Sequence, residues 1–285
     1  MLVCPLCELP LAQADHALRC ERGHSFDLAR EGYVNLLPPT RTGETGDTRE
    51  MLRARRAFLA RGCYAPLADA LNALALAHLA TYVAAAPISP HTILDAGCGE
   101  GYYIGRLYDA LATGLPVAAQ PHCYGLDVAR DAARLAAKRY PGVRFVVANT
   151  HTRLPFATAS LAVLLNIFAP RNPTEFARIL APGGLLLIAI PGPAHLAELR
   201  AALPLLGIEN NKREHIAAQF TDAFTALAPH PLTYPMTLDA PAIHDLLAMT
   251  PSARHLPADA WASLAVLAHK EVTASFQILP FTRRD

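Results

Sequence analysis

The stretch Thr92-Ile-Leu-Asp-Ala-Gly-Cys-Gly-Glu-Gly-Tyr-Tyr103 leaves few ways for this chain to fold. An apolar run ending in Asp95 passes into glycines at 97, 99 and 101 and then into a helical pattern, which reads as a buried strand, a tight turn and a helix. Glycine lets the backbone take positive φ and approach a ligand where a side chain would collide. The spacing is G-x-G-x-G with an acid two residues upstream. It differs from the dinucleotide fingerprint G-x-G-x-x-G, which seats a pyrophosphate on a helix N-terminus, so a ligand without phosphates is favoured. A second strand end follows at Cys123-Tyr-Gly-Leu-Asp127, where a carboxylate at the strand tip can accept both hydroxyls of a ribose. The bland alternative is an ordinary strand-to-helix turn whose glycines bind nothing.

Strand and helix patterns alternate from about residue 62: strand 92–96, helix from Tyr102, strand 122–127, helix 129–139, strands 143–148 and 161–167, helix 173–180 and strand 185–190. Such alternation implies a mostly parallel sheet with helices on both faces. Ligands in these sheets bind at the carboxyl ends of strands where strand order reverses, so the loops after 95, 127, 148, 167 and 190 define the expected site. Asn149 follows the third strand, where its amide can meet an adenine edge or simply make a turn. Pro182-Gly-Gly184 reads as a structural turn. Residues 207–225 are polar and are expected to cap the site, while Leu232–Leu238 and Glu271–Leu279 read as late strands that pair antiparallel, with a helix holding Trp261 between them.

Upstream, Cys4, Cys7, Cys20 and His24 form C-x2-C-x12-C-x3-H, the spacing by which two tight turns bring four ligands around one zinc ion. Four protein ligands close the coordination sphere, so the ion is expected to be structural. A redox C-x-x-C would leave Cys20 and His24 unexplained. Cys63, Cys98 and Cys123 have no such grouping and read as small buried residues. The expected organisation is a zinc module over 1–38, a linker and helix over 39–61, and an α/β domain over 62–285. Arg49, Arg53 and Arg56 share a face of the helix at 49–60, a phosphate-binding or merely solvated surface.

The chain has 285 residues, is 52% hydrophobic and carries a net charge of +1, so a large core is expected and the totals do not demand a nucleic-acid partner. Residues 1–61 hold nine Arg against eight Asp or Glu, which leaves that segment nearly neutral too. The most apolar helix candidate, Leu67–Ala86, is interrupted by Asp69, Asn72 and His78, so no membrane span is expected. The N-terminus lacks the basic-then-apolar pattern of a signal peptide, and a cytoplasmic protein is the expectation.

The paired glycine turn and second acid resemble the S-adenosylmethionine-dependent methyltransferases of class I, a Rossmann-like α/β fold with a seven-stranded, mostly parallel sheet and an antiparallel edge strand. Further strings narrow this. The zinc spacing, Glu31-Gly-Tyr-Val-Asn-Leu-Leu-Pro38, Ala54-Arg-Arg-Ala-Phe-Leu59, Gly125-Leu-Asp-Val128, Lys138-Arg-Tyr-Pro141, Leu154-Pro-Phe156, Pro191-Gly-Pro193 with His195, and Met249-Thr-Pro251 together resemble the 23S rRNA (guanine-N1)-methyltransferases of the RlmA type over nearly the whole length. The resemblance implies S-adenosylmethionine as donor, N1 of a guanine in a large-subunit rRNA hairpin as acceptor, and a homodimer whose zinc modules grip RNA. It implies donor-pocket roles for Tyr64, Gly99, Glu100 and His195, beside Asp95, Gly97, Gly101, Asp127 and Asn149 from the motif reading. Asn166-Ile-Phe-Ala-Pro170 departs from the Arg-Ile-Tyr-Ala-Pro of relatives in the loop that faces the acceptor. Asn166 and Phe168 are therefore the acceptor-loop candidates, one for a base edge and one for stacking, with Tyr102, Tyr103 and Phe156 as further stacking candidates. No proton acceptor for guanine N1 is identified. A methyltransferase for a small molecule or protein, and an inactive donor- or RNA-binding relative, are the competing readings.

Overall fold

Strand β5 (Thr92–Ala96) is buried at every residue, because it lies in the middle of a sheet that has nine strands among the described residues. It pairs in parallel with β6 (His122–Asp127) on one side and β8 (Leu161–Ile167) on the other. Beyond β6 come β7 (Arg144–Val147) and a two-residue strand, β4 (Val34–Asn35); beyond β8 comes β9 (Leu180–Pro191). The chain steps outward in one direction from β5 to β7 and in the other from β8 to β9. Strand order thus reverses between β5 and β8, and a crevice opens at their carboxyl ends. The computed structural model describes residues 2–38, 46–85, 91–114, 120–203, 205, 207, 211–250, 256, 257, 261 and 269–285. Residues 39–45 of the expected linker, Ala86, Pro251 and most of the helix expected around Trp261 lie outside the described residues.

The late strands pair antiparallel as expected, β11 (His230–Asp239) with β12 (His269–Arg283). β12 is not the rim of the sheet: it is inserted between β9 and β11, and β10 (Phe224–Ala226) also pairs with it. The burial patterns explain the order. β12 is buried through Ala274–Phe276 and Ile278–Phe281, as an interior strand must be, whereas β11 is largely exposed as an edge strand can be. The turn Pro182-Gly-Gly184 lies within β9, where Gly183 takes φ +73° and the register with β8 shifts between Leu161 and Val163.

Side chains alternate across the sheet, so the strands feed two cores. On one face Ile93 joins α2 (Ala65–Ala85), α3 (Tyr102–Gly114), α4 (Arg130–Arg139) and α8 (Ala240–Ala248). On the other, Leu94, Tyr124 and Leu126 pack with α5 (Pro173–Ile179), α7 (Lys212–Phe220) and the N-terminal module. Residues 212–220, expected within a polar cap, thus form a helix whose Ile216 and Phe220 are core. The module's own sheet is β1 (Ala12–Ala14), β2 (Ala17–Arg19) and β3 (Ser25–Asp27). It is joined to the main body through the Leu2 to Phe156 bridge, the Val3 N–H to Pro155 carbonyl bond of 3.0 Å, and β4 alongside β7. Helix α1 (Arg49–Ala60) starts where Thr48 accepts the Met51 N–H, and packs on α8, itself capped by Asp239.

Candidate functional site

All three turn glycines take positive φ, +87°, +55° and +82° at 97, 99 and 101. The turn is pinned to the next strand: the N–H groups of Gly97 and Cys98 both donate to the Leu126 carbonyl, at 2.8 and 2.9 Å. A Cβ on Gly97 would lie 2.3 Å from that of Ala169, so glycine here brings the β5 and β8 loops together. Gly101 serves packing instead, with Ala136 and Phe145 each 3.0 Å from its Cβ position.

Asp127 closes the turn from the side. Its carboxylate accepts the Gly99 N–H and the Ala129 N–H, one on each oxygen, both at 2.8 Å. Each oxygen keeps a second acceptor site, which suits a pair of ribose hydroxyls. Burial raises its pKa, and the two N–H bonds draw it partly back. Asp95 is different. It is 1% exposed, neither oxygen has a well-aligned hydrogen-bond partner, and burial followed by the charge of Asp127 pushes its pKa up to about 8. Asp95 and Gly101 lie behind the turn and do not line the cavity, whereas Tyr64, Gly97, Gly99, Glu100, Asp127, Asn149 and His195 do. Glu100 meets Arg139 at 3.3 Å through one oxygen, while its other oxygen is buried without a partner; burial raises its pKa against the pull of Arg139.

The cavity holds about 950 Å³ at the point where strand order reverses. Its floor carries Asp127 and Glu100, and its lining also includes the basic side chains of Arg55, Arg171, Arg200 and Lys212. Its roof was missed in the sequence reading: Asp47, Met51 and Arg55 from α1 and the segment before it, with Leu246, Leu247 and Met249 from α8 and just beyond. Arg55 ties the roof together by pairing with Asp47 and donating to the Met249 carbonyl at 3.2 Å. The one signal in the sequence is the string Ala54-Arg-Arg-Ala-Phe-Leu59, which by itself assigns no role to Arg55.

The acceptor-loop candidates separate. Asn166 is fully buried and donates its amide to the carbonyls of Ala96, at 3.1 Å, and Pro170, at 2.9 Å. It is turned away from the cavity and shapes the loop, so the base-edge role does not fit its position. Phe168 faces the cavity, 44% exposed, at φ +53°, a conformation unusual for a bulky residue and typical of functional loops. Tyr102 and Tyr103 also line the cavity, but Phe156 is completely buried against Tyr124 in the second core and cannot stack on a base. Asn149 accepts the His151 N–H at 2.8 Å, an Asx-type turn at the cavity edge. On the basic face, Arg49 is paired with Asp131 at 2.6 Å, whereas Arg53 and Arg56 are exposed.

At the N-terminus the ligand atoms of Cys4, Cys7, Cys20 and His24 all lie within 4.8 Å of one another. His24 Nδ1 is 3.4 Å from the sulfurs of Cys4 and Cys20, and Cys7 and Cys20 sulfurs are 3.6 Å apart. A tetrahedral zinc with ordinary bond lengths separates its ligands by about 3.5–3.8 Å, so these three separations fit the ion. Gly23, at φ +82°, makes the turn that returns His24 towards Cys20.

Comparison with known proteins places these parts in order along one sequence. The family described as "RlmA, N-terminal", a zinc ribbon, matches residues 2–41, and that described as "Methyltransferase domain" matches residues 93–184. The chain is 40% identical to the 23S rRNA (guanine(748)-N(1))-methyltransferase of Streptomyces fradiae, over 90% of this chain and 87% of the relative. Relatives from Micromonospora griseorubida, 39% identical over 97% of this chain and 95% of theirs, and Bacillus subtilis, 35% identical over 98% and 96%, carry the same class of name.

Proposed function

The chain belongs to the 23S rRNA (guanine-N1)-methyltransferases, and on that premise we propose how its cavity carries out the reaction. It transfers a methyl group from S-adenosylmethionine to N1 of a guanine in 23S rRNA. The observation that carries this reading is similarity running through both the zinc ribbon and the methyltransferase body, over 97% of the chain. In our reading the guanine sits in an rRNA hairpin, and a cytoplasmic homodimer grips that hairpin with its zinc modules. Among the described residues no helix is long and apolar enough to cross a membrane.

The donor, when bound, supplies a methyl group activated by a positively charged sulfur. The protein's residues then mainly align and exclude water. Asp127 takes the ribose hydroxyls, Gly97 and Gly99 let the backbone lie against the ligand, and Asn149 borders the adenine. Tyr64, Glu100 and His195 line the same pocket. The Arg55 clasp holds the roof over it and keeps solvent from the reacting centre. Phe168, exposed at the loop after β8, offers a face on which an unpaired guanine stacks with N1 towards the donor.

Methylation at N1 blocks the Watson–Crick edge, so it is detectable by primer extension. Unmodified 23S rRNA incubated with the protein and S-adenosylmethionine should arrest reverse transcriptase one nucleotide before a guanine, and only when both are present. Read-through identical to the untreated RNA would count against the assigned acceptor atom.

A further inference from the structure

His195 lies in a loop held so firmly that both of its ring nitrogens have definite roles. The Gly192 N–H donates to the Ser275 carbonyl and the Leu196 N–H to the Thr273 carbonyl, each at 2.8 Å, fixing the loop to β12 at both ends. Glu198 accepts the Thr273 N–H at 2.8 Å and its hydroxyl at 2.6 Å. Arg200 donates to the carbonyls of Pro193 and His195. The Ser275 main-chain N–H, which can only donate, points at His195 Nδ1 from 3.2 Å. Nδ1 must therefore present its lone pair. Burial, with Arg200 adjacent, pushes the His195 pKa down to about 4, so the ring is neutral and its single proton sits on Nε2.

That nitrogen lies 3.2 Å from the Tyr64 hydroxyl. Nε2–H donates to the phenol oxygen, and the phenol's own proton has to go elsewhere. Burial raises the Tyr64 pKa, which keeps that proton in place. Its ring is wedged edge-on between Phe58 and Phe276, with centroids 5.0 and 4.9 Å away, and it lines the cavity beside Phe168 at 6.4 Å.

We propose that the Tyr64 O–H is a fixed hydrogen-bond donor to an oxygen of the bound ligand, and that His195 is the positioning residue that sets its direction. The relay runs from the Ser275 N–H to Nδ1 and from Nε2–H to the phenol oxygen. The partner is an anionic or partly anionic oxygen. Two ligand groups have that chemistry: the carboxylate of the methyl donor, and the base carbonyl of guanine, where negative charge gathers as N1 gives up its proton. His195 has no free lone pair in this arrangement and is not the proton acceptor. The relay rests on the Ser275–His195–Tyr64 geometry; the identity of the ligand rests on the methyltransferase reading.

The first test is nitrogen-15 NMR of histidine-labelled protein. His195 should show an unprotonated Nδ1 and a protonated Nε2, unchanged between pH 8 and pH 6. The opposite tautomer, or titration in that range, overturns the proposal. The second is Tyr64→Phe, read in two arms. An approximately tenfold weaker donor Kd by calorimetry without RNA assigns the donor carboxylate, and an approximately tenfold lower kcat on 23S rRNA with donor Kd unchanged assigns the guanine carbonyl. His195→Gln, which can still offer an N–H to Tyr64, should retain most of the affected parameter. His195→Leu should match Tyr64→Phe, with no further loss in the double variant. No loss in either arm, or additive losses, contradicts the relay. Failure of the unaltered protein to methylate rRNA would count against the methyltransferase reading, while the tautomer and the calorimetric arm would still report on the relay.

Discussion

Asp95, next to last in β5, and Asp127, last in β6, lie on adjacent parallel strands, yet their surroundings give them opposite tasks. Asp127 opens to the cavity with two N–H bonds and spare acceptor sites. Asp127→Ala should therefore cost about 2 kcal/mol of donor binding, about 30-fold in Kd by calorimetry with S-adenosylmethionine; unchanged affinity would remove the ribose assignment. Asp95 is sealed behind the turn with its pKa at about 8, against 3.8 ordinarily. Between those values the folded chain holds a proton that the unfolded chain has lost, so this group's contribution to stability is full below the lower value. It falls as pH rises and is gone above about 8. Asp95→Asn should flatten that decline, so that urea unfolding favours the variant more at pH 8 than at pH 5. Parallel pH dependence in both proteins would refute the buried neutral acid.

Elements show where sequence reading succeeds and where it stops. The glycine turn, the zinc spacing, the extents of α1 and β8, and the pairing of the two late strands follow from local periodicity and turn chemistry. The cavity roof does not: the Arg55 to Met249 bond joins residues 194 apart, and no local pattern announces it. Nor does the packing of the zinc module against Leu94, Tyr124 and Leu126, where a helix would ordinarily cover the sheet. Asn166 misled for a related reason. Its place at a strand end suggests the ligand side, but its amide nitrogen donates to two carbonyls beneath the loop. Under the module's seat, buried Glu175 pairs with the partly buried Arg178, 2.6 Å apart. This pair takes the Leu154 N–H at 2.7 Å and donates to the carbonyls of Leu154 and Phe156 at 2.9 and 2.8 Å. Arg178→Met would strand a buried carboxylate and should cost about 3 kcal/mol in chemical denaturation. A loss below about 0.5 kcal/mol, the range of an ordinary surface substitution, would show that the pair does not hold this seat.

At the scale of the molecule, one sheet separates two cores, with the cavity at its carboxyl edge and the zinc module built into the face beneath. That arrangement gives the cavity a packed floor, a clasped roof and an exposed aromatic in the loop after β8. The most direct measurement is methyl transfer itself. Protein incubated with radiolabelled S-adenosylmethionine and unmodified large-subunit rRNA, followed by nuclease digestion and mass spectrometry of the nucleosides, should yield labelled 1-methylguanosine. Donor binding with no labelled nucleoside, or label on any other base or atom, would contradict the assignment.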